Sequence, residues 1–530
     1  MSWFQELLGA KKPPTVLTPF KRDSLWGWSR TLPIIFAAAL AGFCLFYGFT
    51  FALTAPFLLI QFFFPVLIVG AVTIWALPVT GKVPTGALDR MFFAFFVIMI
   101  IWPNYLAIAL PGLPWITMVR LTGFPLTFLL AVSVSMSRDV RSSISNSFGA
   151  LPFFPAIFVG FIIIQIFSIF TSASPIYSLN RFVVQQISWT VVFFTSCYVF
   201  LTPGRAEKWA GLIWLMTVYL CALAIWEYRI GHVIWAGHIP SFLRIEDESV
   251  NRMLAGSTRS GINYRSQATF STALGLAEYL ALAVPFLIYF VLSKYSISVR
   301  SFSLMTIPVV FLVIILTDSR LGVVGFFIDV IVYGLLWGML HWRNFKTSIL
   351  GPAIVLAYPA LFTAFIAATI FIGRLRVITW GGGKHAASND GRALQNAAGI
   401  PLVLKRPWGY GIGDGAEALG FRTPEGAITI DNYYLLVALD YGIVGFILYY
   451  GAIALVIGNA AKYAMMDRPA DREMDLLLPL TASLTSFFVI KSIFSQTENH
   501  PLAFMMMGMV CALVFRLVQQ QRAAGNARVV

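Results

Sequence analysis

The chain is predicted to be all-α, a polytopic transmembrane helix bundle of about fourteen spans with a large, partly helical loop on one face. Three observations predict it. Of 530 residues, 58% are hydrophobic and only 11% charged, more apolar surface than a soluble fold of this length can hide. Windows of about 20 apolar residues, each long enough to cross a hydrocarbon core of about 30 Å, follow one another along the chain. These runs are continuous rather than short and alternating, which excludes a membrane β-barrel.

The first element is a basic tail over 1–31, with Lys11, Lys12, Lys21, Arg22 and Arg30. The apolar run from Leu32 resembles a signal peptide but continues into a second span, so it reads as an uncleaved helix. An N-terminal bundle over 32–227 holds spans near 32–52, 55–78, 91–110, 114–136, 150–170, 184–202 and 209–227, each about 20 residues long. A long loop follows over 228–269. Central helices over 270–372 hold spans near 270–292, 302–317, 321–341 and 350–372, and a second long loop covers 373–432. C-terminal helices over 433–517 hold spans near 433–460, 476–494 and 501–517, and a tail runs over 518–530. No internal repeat is visible between the halves. Cys44, Cys197, Cys221 and Cys511 all lie in apolar runs and read as small core residues.

Charge gives the sidedness. The net charge of +14 is scattered over alternate short loops, so it sets topology and does not imply a nucleic-acid partner. One set of loops is basic throughout: Lys82 and Arg90, Arg138 and Arg141, Arg205 and Lys208, Lys294 and Arg300, Arg343 and Lys346, Lys462 with Arg468 and Arg472. The positive-inside rule places these loops and both termini in the cytoplasm, with both long loops outside. The Gly–aromatic mix of "RPWGYGIGDGAEALGF" argues that the second long loop is ordered.

Polar residues distant in sequence then converge on the outer face. Arg265 precedes the span near 270. Asp318 and Arg320 occupy the tight turn of "LTDSRLGVVGF". Arg392, Lys405 and Arg406 lie in the second long loop, Asp431 and Asn432 open the next span, and Lys491, Glu498 and His500 ring the last outer turn. Each has a plainer reading. Arg320 can snorkel or pair with Asp318, Asp431 can cap its helix, "GYGIGDG" can be a simple turn, and Arg392 can be a solvated charge. The five histidines lack metal-ligand spacing, so no metal site is expected. Taken together, arginines, glycines and a carboxylate at one surface suit an anionic, lipid-linked substrate. Arginine grips phosphate oxygens with two parallel bonds, glycine lets backbone N–H groups approach an anion, and a carboxylate can take a proton from a hydroxyl.

The order of these motifs is an Arg before a span, "SR" at a span start, a "GR" segment in a large loop, then "PWGYGIG" and "DNYYLLVALDYGIVGF". It resembles the O-antigen ligase and Wzy polymerase superfamily of bacterial membrane glycosyltransferases, over about Arg265 to Phe446. The resemblance implies transfer of a glycan from an undecaprenyl-pyrophosphate carrier to a hydroxyl on the periplasmic face of the inner membrane, with no metal or cofactor. It carries the family's two arginines onto Arg320 and Arg392. The family's His falls at Asp431, which would act as the base, with Asn432 orienting it. Arg265, Asn432, Lys405, Arg406, Glu498 and His500 would bind substrate, and Glu498 and His500 are rivals for the base. "DN" in place of "HN" favours a polymerase of exopolysaccharide or O-antigen repeat units over a ligase to lipid A-core. A chain-length regulator and other polysaccharide assembly proteins are the implied partners, beside the bilayer. Two other classes compete. A lipid-linked oligosaccharide flippase should show repeats and midplane charges, and a structural subunit would leave the arginines without a task.

Overall fold

The computed structural model describes residues 69–527, apart from 80–82, 110–114, 244, 246, 260–262, 374–375, 377–385, 423–427, 467–470 and 494. The predicted span at 32–52 and most of that at 55–78 lie outside these residues. The chain divides into a small unit, Met1–Thr73 with Pro111–Leu113, and a large one holding the rest. Only 69–73, part of a helical stretch, is described in the small unit.

The large unit is helical from end to end. Its first helices are α1 (Thr85–Ile101), α2 (Met118–Met136), α3 (Arg138–Phe148), α4 (Phe154–Thr171) and α5 (Pro175–Gln185). A π-helical turn, Gln186–Val191, joins α5 to α6 (Val192–Val199), and α7 (Arg205–Ile230) and α8 (Glu248–Ala255) follow. The central group is α9 (Ala273–Leu292), α10 (Ile297–Leu316), α11 (Arg320–Asn344) and α12 (Leu350–Phe371). The long loop after α12 carries α13 (Ala386–Lys405) and α14 (Gly415–Leu419), as its partly helical prediction required. The last helices are α15 (Tyr433–Ala464), α16 (Leu477–Ile490) and α17 (His500–Ala527). Two small antiparallel hairpins, Ala107–Ile108 with Ile116–Thr117 and Ser257–Arg259 with Asn263–Arg265, lie in loops.

Eleven helical segments among the described residues are long and apolar enough to cross a membrane, and each corresponds to one predicted span. The prediction at 91–110 is the difference. Its helix is α1, which ends at Ile101 after 17 residues, because Pro103 and a hairpin take over the chain. This is a multi-pass membrane protein.

α9, α16 and α17 are buried on nearly all sides and form the centre of the bundle. Around them, α4, α10 and α12 turn large side chains such as Phe167, Phe170, Met305, Leu312, Phe362 and Phe371 outward, as a surface facing hydrocarbon must. The ends of the bundle are polar. At one end Arg516 pairs with Glu473 at 2.7 Å and Asp471 at 3.2 Å. Glu473 also accepts from the backbone N–H groups of Ala206 and Glu207, where the dipole of α7 favours an anion. The opposite end carries the candidate residues.

α15 is 32 residues long, about 48 Å at 1.5 Å per residue, too long for one crossing. It is broken at Gly442, whose φ of 74° is not helical. The part after the break, 443–464, is about 33 Å long and crosses by itself. Residues 433–441 form a separate short helix leading in from Asp431.

Candidate functional site

The loop that carries Arg265 is held by a buried carboxylate. Glu227, 1% exposed in the last turn of α7, accepts from Tyr264 Oη at 2.5 Å, Ala268 N at 2.6 Å and Gln267 N at 3.3 Å. Those bonds fold residues 264–268 into a tight loop, with Ala268 in left-handed backbone at φ 48°. Ser266 N then donates to Leu316 O at 3.3 Å, and Arg265 Nε donates to Thr317 O at 2.9 Å. Arg265 is therefore docked on the turn that carries Asp318 and Arg320. In that turn Asp318 is left-handed (φ 47°), and Ser319 caps α11 by accepting from Gly322 N at 3.1 Å. Arg320, the first residue of α11, is half-buried. Gly322 sits so close to α9 that a Cβ there would lie 2.8 Å from Ala277 Cβ, which fixes the start of α11 against the central helix.

Arg392 and Asp431 are brought together by α13. Asp431 N donates to Gln395 Oε1 at 2.9 Å, and Asn432 Nδ2 donates to Asn396 Oδ1 at 3.2 Å. Arg392 lies on the same face, three and four residues before these partners. Burial raises the Asp431 carboxyl above the usual carboxylate range, and the Arg392 charge pulls it back down. The cap of α15 differs from the expectation. Asn432, in extended backbone, accepts from Tyr434 N at 2.9 Å and Leu435 N at 3.3 Å. Asn432 is the N-cap, so the reading of Asp431 as the cap is corrected and its carboxylate has no part in capping.

The "GYGIGDG" segment is a clamp on the break in α15. Tyr410 N and Gly411 N donate to the carbonyls of Leu439 and Asp440, Ile443 N donates to Pro407 O, and Gly415 N donates to Asp440 Oδ1 at 2.8 Å. Gly409, Gly411 and Gly413 all have positive φ, and a Cβ on Gly409 would fall 2.5 Å from Asp440 O. These N–H groups bond the protein's own backbone and Asp440, so they make a scaffold in place of the anion cradle that the glycines suggested. The clamp is tied outward by Asp414, which accepts from Ser172 Oγ at 2.6 Å and Ala173 N at 3.0 Å.

The other candidates separate. Lys405 is exposed at the end of α13. Arg406 donates to Thr171 O at 3.0 Å and lies over the Tyr410 ring, a packing role. Glu498 accepts from Ser271 N at 3.2 Å, and burial raises its carboxyl above the usual range. His500 is fully buried; its Nδ1 bonds Thr497 O at 3.1 Å, its ring stacks on Trp189 at 5.1 Å, and it meets the Tyr433 ring at a tilt at 4.7 Å. Sequence reasoning did not give roles to Glu227, Gln395, Asn396 or the fully buried ion pair of Lys491 with Glu278 at 2.7 Å. The last carried a signal, since a charge within a span is expected to face the interior and find a partner.

Arg265 with Arg320, and Arg392 with Asp431, thus stand as two groups on loops and helix starts at one end of the bundle. Three arginines, Arg265 among them held by a carbonyl bond, and a partly desolvated carboxylate suit binding of an anion beside a hydroxyl to be activated. A search of curated proteins finds no match to the chain. Residues 301–450 match the family described as O-Antigen ligase, a stretch that holds Arg320, Arg392, the glycine clamp and Asp431. This match supports the O-antigen ligase and Wzy superfamily for that part of the chain, and with it a ligase- or polymerase-type function in glycan assembly.

Proposed function

We propose that the protein polymerises undecaprenyl-pyrophosphate-linked oligosaccharide repeat units on the periplasmic face of the bacterial inner membrane. The leaving group is already activated as a pyrophosphate ester. Arg320 and Arg392, with Arg265 beside the Asp318–Arg320 turn, stabilise the negative charge that develops on it. Asp431 takes the proton of the incoming sugar hydroxyl, and Asn432 holds the start of α15 so that the carboxylate faces the site. The observation that carries this reading is the seating of Asp431 and Asn432 on the face of α13 that bears Arg392, with the Arg392 charge acting on the Asp431 carboxyl and capping left to Asn432. A base beside a cation that binds the leaving group puts both demands of the reaction in one place.

A ligase would use the same donor and differ only in the acceptor. The two are separated by the lipid-linked glycans that accumulate in a strain lacking the protein. Single repeat units support the polymerase, and long unattached chains overturn it in favour of the ligase. Accumulation of neither overturns glycan transfer itself.

A further inference from the structure

The end of the bundle that bears the candidate site is tied together by one ion pair. Lys491 Nζ lies 2.7 Å from Glu278 Oε1, and both side chains are 0% exposed. The other oxygen of Glu278 accepts from Asn499 Nδ2 at 3.1 Å, and the same amide donates to Gly275 O at 2.9 Å in the first turn of α9. The ammonium group also donates to Gln496 O and faces the rings of Phe487 at 5.1 Å and Tyr433 at 5.6 Å. Tyr433 is the first residue of α15, directly after the Asn432 cap and two positions after Asp431. Four helices therefore meet at this pair: α9, which follows Arg265; the α16–α17 turn; and the start of α15.

A buried ion pair is a poor way to gain stability, because desolvating two charges opposes their attraction, and apolar residues of similar size often serve as well. What a pair adds is geometry. A cation held on one side by a carboxylate can lie over an aromatic face on the other. We infer that Lys491, held by Glu278, is a positioning residue that fixes the start of α15 and thereby the place of Asp431. The inference rests on the transfer reading above.

The test uses the full-length protein in lipid nanodiscs and, as donor, the lipid-linked glycan that accumulates in the deletion strain. Two double variants are compared with wild type for abundance, thermal unfolding, kcat and KM. Glu278→Gln with Lys491→Met removes both charges, and Glu278→Lys with Lys491→Glu reverses them. The reversed pair keeps the attraction but turns a carboxylate toward Tyr433. Both are expected to fold and to lose about 10²-fold in kcat, the scale of a small misplacement of reacting groups, with KM for the donor changed by less than about threefold. A reversed pair that turns over at the native rate would show that attraction alone matters, and the inference fails. It fails too if both variants are missing from the membrane, since the pair is then only structural. Wild-type protein that transfers nothing overturns the transfer reading, and this inference with it; turnover by wild type separates the two failures.

Discussion

Asp431 and its neighbours make separable predictions, because base and cap are adjacent but different residues. Asp431→Asn leaves the Asn432 cap in place. Normal protein level with a loss of about 10²–10⁴ in rate is expected, the usual contribution of a positioned base; polymer made at the native rate would move the base elsewhere, with Glu498→Gln the next variant to measure. The pH dependence follows from the same contacts. A base works when deprotonated, burial already raises Asp431, and Arg392 opposes that rise. Arg392→Gln removes the opposition, so the acid limb of the residual rate–pH profile is expected to move to higher pH. An unmoved or lowered limb would mean that the two groups are not coupled. Arg320→Lys and Arg392→Lys are expected not to restore transfer, since an ammonium keeps the charge and loses the planar fork. Full activity of either variant, measured as polymer formed per unit of membrane protein, would exclude two-point binding at that position.

The start of α15 and its break at Gly442 decide where these side chains stand. Asn432→Ala is expected to cost about 0.5–2 kcal/mol of stability through the lost cap, and Asn432→Asp is expected to retain it; thermal unfolding in detergent compares them. Gly442 meets the clamp backbone to backbone. A Cβ there would lie 2.2 Å from Pro407 O, on a φ of 74°. Gly442→Ala therefore has no relaxed position, and a destabilisation well above about 1 kcal/mol is expected. The clamp also explains why "GYGIG" and "DYGIVGF" occur together in one chain: the first supplies the N–H groups for carbonyls that the break in the second exposes.

The whole bundle places the site at one end and the Arg516–Glu473–Asp471 cluster at the other. The positive-inside reading has the site end facing the periplasm. A cysteine at exposed Glu417 on α14, in a cysteine-free background, is then labelled by an impermeant reagent in intact cells. A cysteine at exposed Ser142 on α3 is labelled only after permeabilisation. The opposite pattern would put the arginines in the cytoplasm and exclude a periplasmic donor.

The fold class and the position of each described crossing were legible in the sequence, because a run of about 20 apolar residues is a one-dimensional property that needs no partner to be recognised. The gathering of Arg265, Arg320, Arg392 and Asp431 at one end followed from counting alternate loops. Three features were decided only in three dimensions. Adjacent Asp431 and Asn432 are both good caps by type, and the choice between them came from α13 engaging one backbone N–H and one side-chain amide. The glycine segment reads alike as cradle or clamp until the carbonyls of Leu439 and Asp440 are seen to take its N–H groups. Glu278 and Lys491 are distant in sequence, and no local pattern states which charge in a span will meet which. Such pairings are set by how whole helices pack, and that is information the order of residues along one helix does not hold.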